Sequence, residues 1–379
     1  MIKNTIKESI LPDSRGFRQT IATCPFRKSS GSAVAGGLGF RLSFCMLYPY
    51  QTTGIGSLPH TDAEAAVALV LETFDIPFWP QLPRVSFREQ MIPQFSEGLP
   101  FIRVDDERKS VWVNRSGSDE LERFYEFCTE ETRIAISENF AEGLHAFLRI
   151  TRGRRFNCLK GHVTGPLTFT LGLNDSRGKP VYYDEELREV YLMGLEAKAR
   201  WQIDALRAKA DQVVIFIDEP VAGALGSTAY ITVERAEALR LLREMVQTIK
   251  RCGATPGIHC CGRAEWPLLI ESGVEILNFD AYDYGDTLLI YPGEIEDFLK
   301  RGGILAWGIV PTTEAINSES EESIYALFMR RFEKLSARVP ADLLREKILL
   351  TPACGTGSLS ETEALKVFEL IIRLKESLA

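Results

Sequence analysis

Short apolar segments alternate with longer amphipathic ones along most of this chain, and that alternation constrains its fold more than any other feature. Several of the short segments are continuous runs of valine, isoleucine, leucine and phenylalanine, which is typical of strands covered on both faces of a parallel sheet. Eight segments have this character: 51–57, 76–83, 157–166, 212–220, 254–262, 274–282, 302–311 and 347–355. Amphipathic helical patterns lie at 62–74, 186–210, 234–252, 321–339 and 360–378. The alternation predicts an α/β fold, a (β/α)8 TIM barrel, with an open doubly wound sheet as the alternative.

The segment between the second and third predicted strands, 84–150, is too long for a simple crossover. Within it the sequence "FIRVDDERKSVWVN" (101–114) predicts a β-hairpin, and the rest predicts additional helices. The predicted fold is therefore a TIM barrel with an inserted β-hairpin and helices after the second strand.

The first 45 residues differ from the rest in being basic and rich in small residues, as in "RKSSGSAVAGGLGF" (27–40). Such a composition is typical of a flexible segment. We expect residues 1–45 to be a disordered tail, or to precede the true start at Met46; an amphipathic targeting peptide is the alternative. Residues 46–379 are expected to form a single domain.

Charge and cysteine content exclude several classes of protein. The net charge is -8 and the pI is about 5.4, whereas a nucleic-acid-binding protein needs a basic face. No apolar run reaches the ~18 residues of a membrane span. Eight cysteines in 379 residues are too few for a disulfide scaffold. We therefore expect a cytoplasmic protein without a nucleic-acid or membrane partner.

Polar and thiol side chains follow several of the predicted strands, where the catalytic residues of a barrel gather. His259 and Cys261 are two residues apart, so both point to one side of a strand, and Cys260 points to the other as a core thiol. Taken alone, His259 and Cys261 are also compatible with ordinary core residues of a strand. Cys354, at the end of the eighth strand, favours a Zn²⁺ site with an open fourth position, and Asp280, ending another strand, is the candidate displaceable ligand.

The composition of this ligand set indicates the kind of chemistry. Sulfur-rich ligation makes zinc less electrophilic, whereas hydrolytic zinc sites use histidine and carboxylate ligands. A zinc ion with a free position can also bind a substrate thiol and lower its pKa. The site therefore favours alkylation of a thiol over hydrolysis.

Five short motifs, taken in chain order, resemble one enzyme family. The sequence resembles the catalytic barrel of cobalamin-independent methionine synthase over about residues 50–379, within the superfamily that includes uroporphyrinogen decarboxylase. The motifs that carry the resemblance are "TTGIGSLP", "GPLT", "IDEP", "IHCCG" and "PACG". The resemblance implies that residues 46–379 form one zinc-dependent methyltransferase barrel that makes methionine from homocysteine.

The resemblance also implies roles for individual residues. It implies that His259, Cys261 and Cys354 bind zinc, with Asp280 where the family has a glutamate. It implies that homocysteine is held by a turn that receives its carboxylate and by Asp218, the catalytic residue that pairs with its ammonium group. The turn consists of Ile55, Gly56 and Ser57. Another acidic position of this pocket falls on Pro93, and Glu97 is the candidate substitute.

Departures from the family concern the methyl donor. The tryptophan expected after "GPLT" is absent from 169–174, and Thr312 and Thr313 replace the histidine expected after the seventh strand. The additional N-terminal barrel of the full-length family also has no counterpart here. Methyltetrahydrofolate needs a general acid near N5, whereas a methyl-corrinoid does not. We therefore expect a methyl-corrinoid donor, carried by a corrinoid protein.

Three other functions remain open from the residues. One is methylation of a different thiol, such as a coenzyme thiol, which would not need Asp218. A porphyrinogen decarboxylase-like protein would need no metal and would place arginines around its substrate, for which Arg84 and Arg88 are the nearest candidates. A protein that only binds a corrinoid or thiol ligand would have a zinc site saturated by protein ligands.

Overall fold

Strands and helices alternate in the computed structural model, which describes residues 49–116 and 119–378. The predicted tail, 1–45, lies outside the described residues. The strands are β1 Ile102–Asp105, β2 Ser110–Val113, β3 Phe156–Thr164, β4 Asn174–Asp175, β5 Ala210–Asp218, β6 Thr255–Cys260, β7 Ile276–Asp280, β8 Ile304–Val310 and β9 Ile348–Pro352. The α-helices are α1 Ala63–Thr73, α2 Met91–Ser96, α3 Glu120–Phe127, α4 Glu142–Ile150, α5 Pro166–Gly172, α6 Glu185–Arg207, α7 Arg235–Arg251, α8 Trp266–Glu271, α9 Pro292–Lys300, α10 Glu321–Ser336, α11 Ala341–Arg345 and α12 Glu361–Leu378. The described residues belong to one compact unit.

Six of these strands form a parallel sheet in the order β3-β5-β6-β7-β8-β9. Six of the eight predicted strands are thereby confirmed, and so are the five predicted helices. The spatial order follows the chain order, without the reversal that defines a doubly wound sheet, so that alternative is wrong.

The first two predicted strands are extended segments that make isolated bridges instead of continuous ladders. Thr52 bridges Leu350 of β9, Phe78 bridges Lys160 of β3, and Ser57 bridges Gln81. The prediction of full strands is wrong here because "IPFWPQLP" contains three prolines, which have no N–H to donate to a ladder. The two segments nevertheless contact both edges of the six-stranded sheet and each other.

The predicted hairpin is confirmed within the insertion that follows the second extended segment. β1 and β2 pair antiparallel, with Ile102 opposite Val113, and the short β4 adds to β2 in parallel. Helices α2, α3 and α4 complete the insertion. The fold is thus α/β, with a large parallel sheet and a small three-stranded one.

The buried apolar residues form two clusters that correspond to the two faces of the large sheet. The larger includes Ile215 and Ile217 of β5, together with residues of the surrounding helices. The smaller includes Val214 and Phe216, which alternate with them along the same strand. Its other members are Ile55, Ile76, Cys158, Ile276, Ala306 and Leu349. This inner face also carries the polar side chains considered below, because side chains two residues apart in a strand share a face.

Candidate metal centre

Three of the predicted zinc ligands lie together at the ends of two strands. His259 is in β6, Cys261 directly follows it, and Cys354 follows β9. One ligand atom from each residue lies within 4.8 Å of the other two. His259 is 2% exposed and both cysteines are partly buried. The fold thus assembles a buried imidazole and two thiols from distant parts of the chain.

The tautomer of His259 is set by Asn278, which lies beside it on β7. The Asn278 side-chain nitrogen donates to the carbonyl oxygen of Ala306 at 2.9 Å and to Oγ1 of Thr351 at 2.8 Å. Its amide oxygen therefore faces His259 and accepts the hydrogen bond from Nδ1. Nε2 of His259 is buried and has no hydrogen-bond partner among the described residues, as expected of a metal-binding nitrogen.

The two thiols form a coupled pair. The pKa of Cys261 is lowered to about 4, first because the Cys354 thiol donates a hydrogen bond to it and also because His259 lies beside it. The same hydrogen bond and burial raise the pKa of Cys354 well above its usual value. Without a metal, the two sulfurs therefore share one proton, which a metal ion would displace on binding.

The group suits a metal such as zinc in both chemistry and spacing. Zinc in proteins is bound by cysteine sulfur at ~2.3 Å and histidine nitrogen at ~2.0 Å, so tetrahedral ligand atoms lie roughly 3.5–3.8 Å apart. The spacing of 4.8 Å or less needs only a small contraction to reach this geometry. Three protein ligands also leave a fourth position for an exchangeable group.

Asp280, the predicted fourth ligand, lies at the end of β7 and on the same face as Asn278. It is buried, and burial raises the pKa of its carboxyl to about 7. One carboxyl oxygen accepts a hydrogen bond from the backbone N–H of Asp283 at 2.8 Å. Asp280 is not within the group of three converging ligands, so its role in binding metal stays a prediction.

Asp218 ends β5 directly beside His259 of β6. Its Oδ1 atom is buried, and no described residue forms a hydrogen bond with it. Burial raises the pKa of Asp218 to about 6, and the nearby His259 and Lys160 oppose that rise. The predicted ammonium-binding carboxylate is thus close to the metal-binding group and has free acceptor capacity.

The predicted carboxylate-binding turn packs against the loop that carries Cys354. The carbonyl oxygen of Ser57 accepts hydrogen bonds from N and Oγ1 of Thr356 at 2.8 and 3.0 Å. A Cβ atom at Gly355 would lie 2.1 Å from Oγ of Ser57, so only glycine permits this approach. Ile55, Gly56 and Ser57 therefore lie next to the metal-binding loop.

Glu97 is placed elsewhere. It follows α2, and its carboxylate accepts a hydrogen bond from the backbone N–H of Ser137 at 2.7 Å. Among the described residues, no contact joins Glu97 to the His259, Cys261 and Cys354 group. Its negative charge acts on the buried ammonium group of Lys198 of α6.

The prediction for Cys260 is confirmed, and the neighbouring Glu219 has a structural role. Cys260 is fully buried in the larger apolar cluster, on the face of the sheet opposite the metal-binding group. Burial raises the pKa of its thiol to about 12. Glu219 shapes a turn: its carboxylate accepts hydrogen bonds from the N–H groups of Leu167 and Thr168 at the start of α5. Sequence reasoning missed Asn278 and Lys160, although each is a polar residue inside a predicted strand.

These observations define an α/β protein with a buried His/Cys/Cys group able to hold a metal at the end of a parallel sheet. No family model matches the chain, and neither does any curated protein. Among solved structures, it is similar to a B12-independent methionine synthase from Shewanella sp. W3-18-1, solved in complex with selenomethionine. The TM-score is 0.54 at 15% identity, covering 87% of this chain and 97% of the other. The chain therefore has a methionine synthase-like, TIM-barrel-like fold.

A second solved structure, described as a putative fructose-1,6-bisphosphate aldolase from Coccidioides immitis, has a TM-score of 0.29 at 11% identity. It covers 68% of this chain and 84% of the other, and such a low score carries no argument. Among the described helices, none combines the length and apolar character needed to cross a lipid bilayer.

Proposed function

We propose that this chain transfers a methyl group to the thiol of homocysteine to give methionine. The observation that carries the proposal is the unpartnered Nε2 of His259 converging with two thiols in a methionine synthase-like fold. We further propose that the extended segments 51–57 and 76–83 complete an eight-stranded barrel. The bridges to β9 and β3 support this closure, which puts the site at the carboxyl ends of the strands.

The metal-binding group would consist of His259, Cys261 and Cys354, with Asp280 as an exchangeable fourth ligand. When bound, Zn²⁺ supplies a Lewis acid that takes the substrate sulfur and favours its ionised form at neutral pH. Asp280 would hold the fourth position in the absence of substrate, and a substrate thiolate carries the same charge as the carboxylate that it would replace.

The remaining residues orient the amino acid. The Ile55–Ser57 turn binds the substrate carboxylate, and Asp218 binds the ammonium group through its free oxygen. The sulfur then forms the new bond to the methyl carbon while the bond between that carbon and the donor breaks. The electron pair of the broken bond stays with the donor, and the thiol proton is released.

We propose a methyl-corrinoid as the donor. The absence of a tryptophan from 169–174 supports this, and so does the presence of Thr312 and Thr313 where the donor's general acid is expected. Thr313 instead accepts a hydrogen bond from the N–H of Ala315 and caps a short 3₁₀ helix. Methyltetrahydrofolate is the competing donor, favoured by the name of the Shewanella protein, whose solved chain is 97% covered by this one.

To test the proposal, zinc-loaded protein is incubated with homocysteine and either methylcobalamin or methyltetrahydrofolate. The methionine formed is measured by mass spectrometry. Methionine from methylcobalamin supports the whole proposal, whereas methionine from methyltetrahydrofolate alone overturns the choice of donor. Methylation of 2-mercaptoethanesulfonate in preference to homocysteine would instead indicate a coenzyme thiol as the substrate. Cys354→Ala is the control that should abolish all of these reactions.

A further inference from the structure

A fully buried lysine lies on the inner face of the sheet, below the site. Lys160 of β3 is 0% exposed, and within the described part of the chain its Nζ makes a single hydrogen bond, to the carbonyl oxygen of Ile55 at 2.6 Å. The aromatic rings of Phe216 and Phe78 flank the ammonium group, with centroids 4.4 and 5.5 Å away. The ammonium group thus has one strong acceptor and two aromatic faces.

Burial in these surroundings destabilises the charged form of the side chain. Burial disfavours the charged form and lowers the pKa of Lys160 to about 7, and the negative charge of Asp218 opposes that effect. The surrounding inner cluster is apolar, so a methionine or leucine would fill the same space without this cost. The lysine is therefore poorly explained as packing alone.

The contacts of Lys160 link two parts of the proposed substrate pocket. Its acceptor, Ile55, is the first residue of the turn proposed to bind the substrate carboxylate. Its charge also acts on Asp218, the proposed partner of the substrate ammonium group, whose Oδ1 has no hydrogen-bond partner. The ammonium group thus contacts one end of the amino-acid pocket and acts on the other end through its charge.

We infer that Lys160 is a positioning residue that fixes the Ile55–Ser57 turn and balances the charge of Asp218, so that the pocket accepts the α-amino-acid end of its thiol substrate. The inference rests on the proposed function. Lys160 does not touch the substrate. It determines selectivity for an amino-acid thiol over a simple alkyl thiol.

The test is calorimetric titration of the zinc-loaded protein with three thiols: homocysteine, 4-mercaptobutyrate and propane-1-thiol. Lys160→Met keeps the side-chain volume and removes the charge. We expect it to weaken homocysteine and 4-mercaptobutyrate binding by about 10- to 100-fold, the effect of losing a hydrogen bond to a charged group. Propane-1-thiol affinity and zinc content should not change. Lys198→Met, which removes the other 0% exposed lysine of the described chain, is the matched control and should change none of these affinities.

The outcomes separate the inference from the proposed function. Wild-type protein that binds homocysteine no better than propane-1-thiol would overturn both. Selective wild-type protein with an equally selective Lys160→Met would overturn only the role of Lys160. If Lys160→Met does not fold, the same titrations on Lys160→Gln, which keeps an N–H donor, decide the question. Failure of both variants to fold, while Lys198→Met folds, would assign Lys160 to the fold and overturn the inference.

Discussion

Nδ1 of His259 donates its hydrogen to the side-chain oxygen of Asn278, and this contact decides which ring nitrogen faces the two cysteines. The orientation of the Asn278 amide is fixed, because its nitrogen donates to Ala306 and Thr351. Nε2 is therefore the ring nitrogen that faces the site before any metal arrives. A ligand held in the correct tautomer and orientation loses less freedom when it binds metal.

Asn278→Ala should weaken zinc binding by about 10- to 100-fold, the usual effect of losing such a supporting contact. Competition with a chromophoric chelator measures the affinity. Thr351→Val, which removes only one acceptor of the Asn278 amide, is the graded control and should have a smaller effect. Equal zinc affinity in Asn278→Ala and wild type would show that Asn278 does not orient the ligand.

Cys354→Ala and Cys260→Ala should differ in zinc content, although both remove a buried or partly buried thiol. Cys354 lies in the converging group, whereas Cys260 faces the outer core. After dialysis, elemental analysis should find about one zinc per chain in wild type and Cys260→Ala, and almost none in Cys354→Ala. Zinc retained by Cys354→Ala would remove this residue from the ligand set.

Asp218→Asn should reduce the affinity for homocysteine by about 10- to 100-fold, because the bond to the substrate ammonium group loses its charge. Binding of 4-mercaptobutyrate, which has no ammonium group, should be almost unaffected. Isothermal titration of both thiols against zinc-loaded protein gives the comparison. A parallel loss for both thiols would mean that Asp218 supports the metal site instead of the ammonium group.

The buried carboxyl of Glu89 should make stability depend on pH. It accepts hydrogen bonds from the N–H groups of Leu82 and Glu142, but burial dominates and raises its pKa from 4.5 to about 7. Because the folded state binds the proton more tightly, this contribution is full below pH 4.5 and is lost as the pH rises to about 7. Glu89→Gln has no such titration.

Urea unfolding of both proteins at pH 5 and pH 8 measures the effect of Glu89. The free energy of unfolding of wild type relative to Glu89→Gln should fall by roughly 2 to 3 kcal/mol between these pH values. A difference that does not change with pH would contradict the assignment of this titration to Glu89.

The six central strands could be predicted because their continuous apolar runs are typical of parallel strands covered on both faces. The segments 51–57 and 76–83 share that apolar character, but the prolines of the second prevent a continuous ladder. An apolar pattern indicates which segments are buried, but it does not indicate which backbone N–H groups can donate to a neighbouring strand. The burial of these two segments was therefore predictable, but their pairing through isolated bridges was not.

The converging ligands could be predicted because parallel strands bring their carboxyl ends to one edge of a sheet. Asn278 could not be assigned a role, because only the pairing of β6 with β7 puts it beside His259. Glu97 is the predicted substitute for an acidic position that falls on Pro93, whereas in the structure its carboxylate accepts a hydrogen bond from the N–H of Ser137. Spacing along an irregular insertion does not determine where a side chain points.

The central claim, that the His259, Cys261 and Cys354 group holds a zinc ion open to a substrate thiol, is tested most directly by zinc K-edge X-ray absorption with and without homocysteine. The account predicts two sulfur neighbours in the protein alone, from Cys261 and Cys354, and three when homocysteine is added. A shell that keeps two sulfurs at saturating homocysteine, or a protein that binds no zinc, would contradict it.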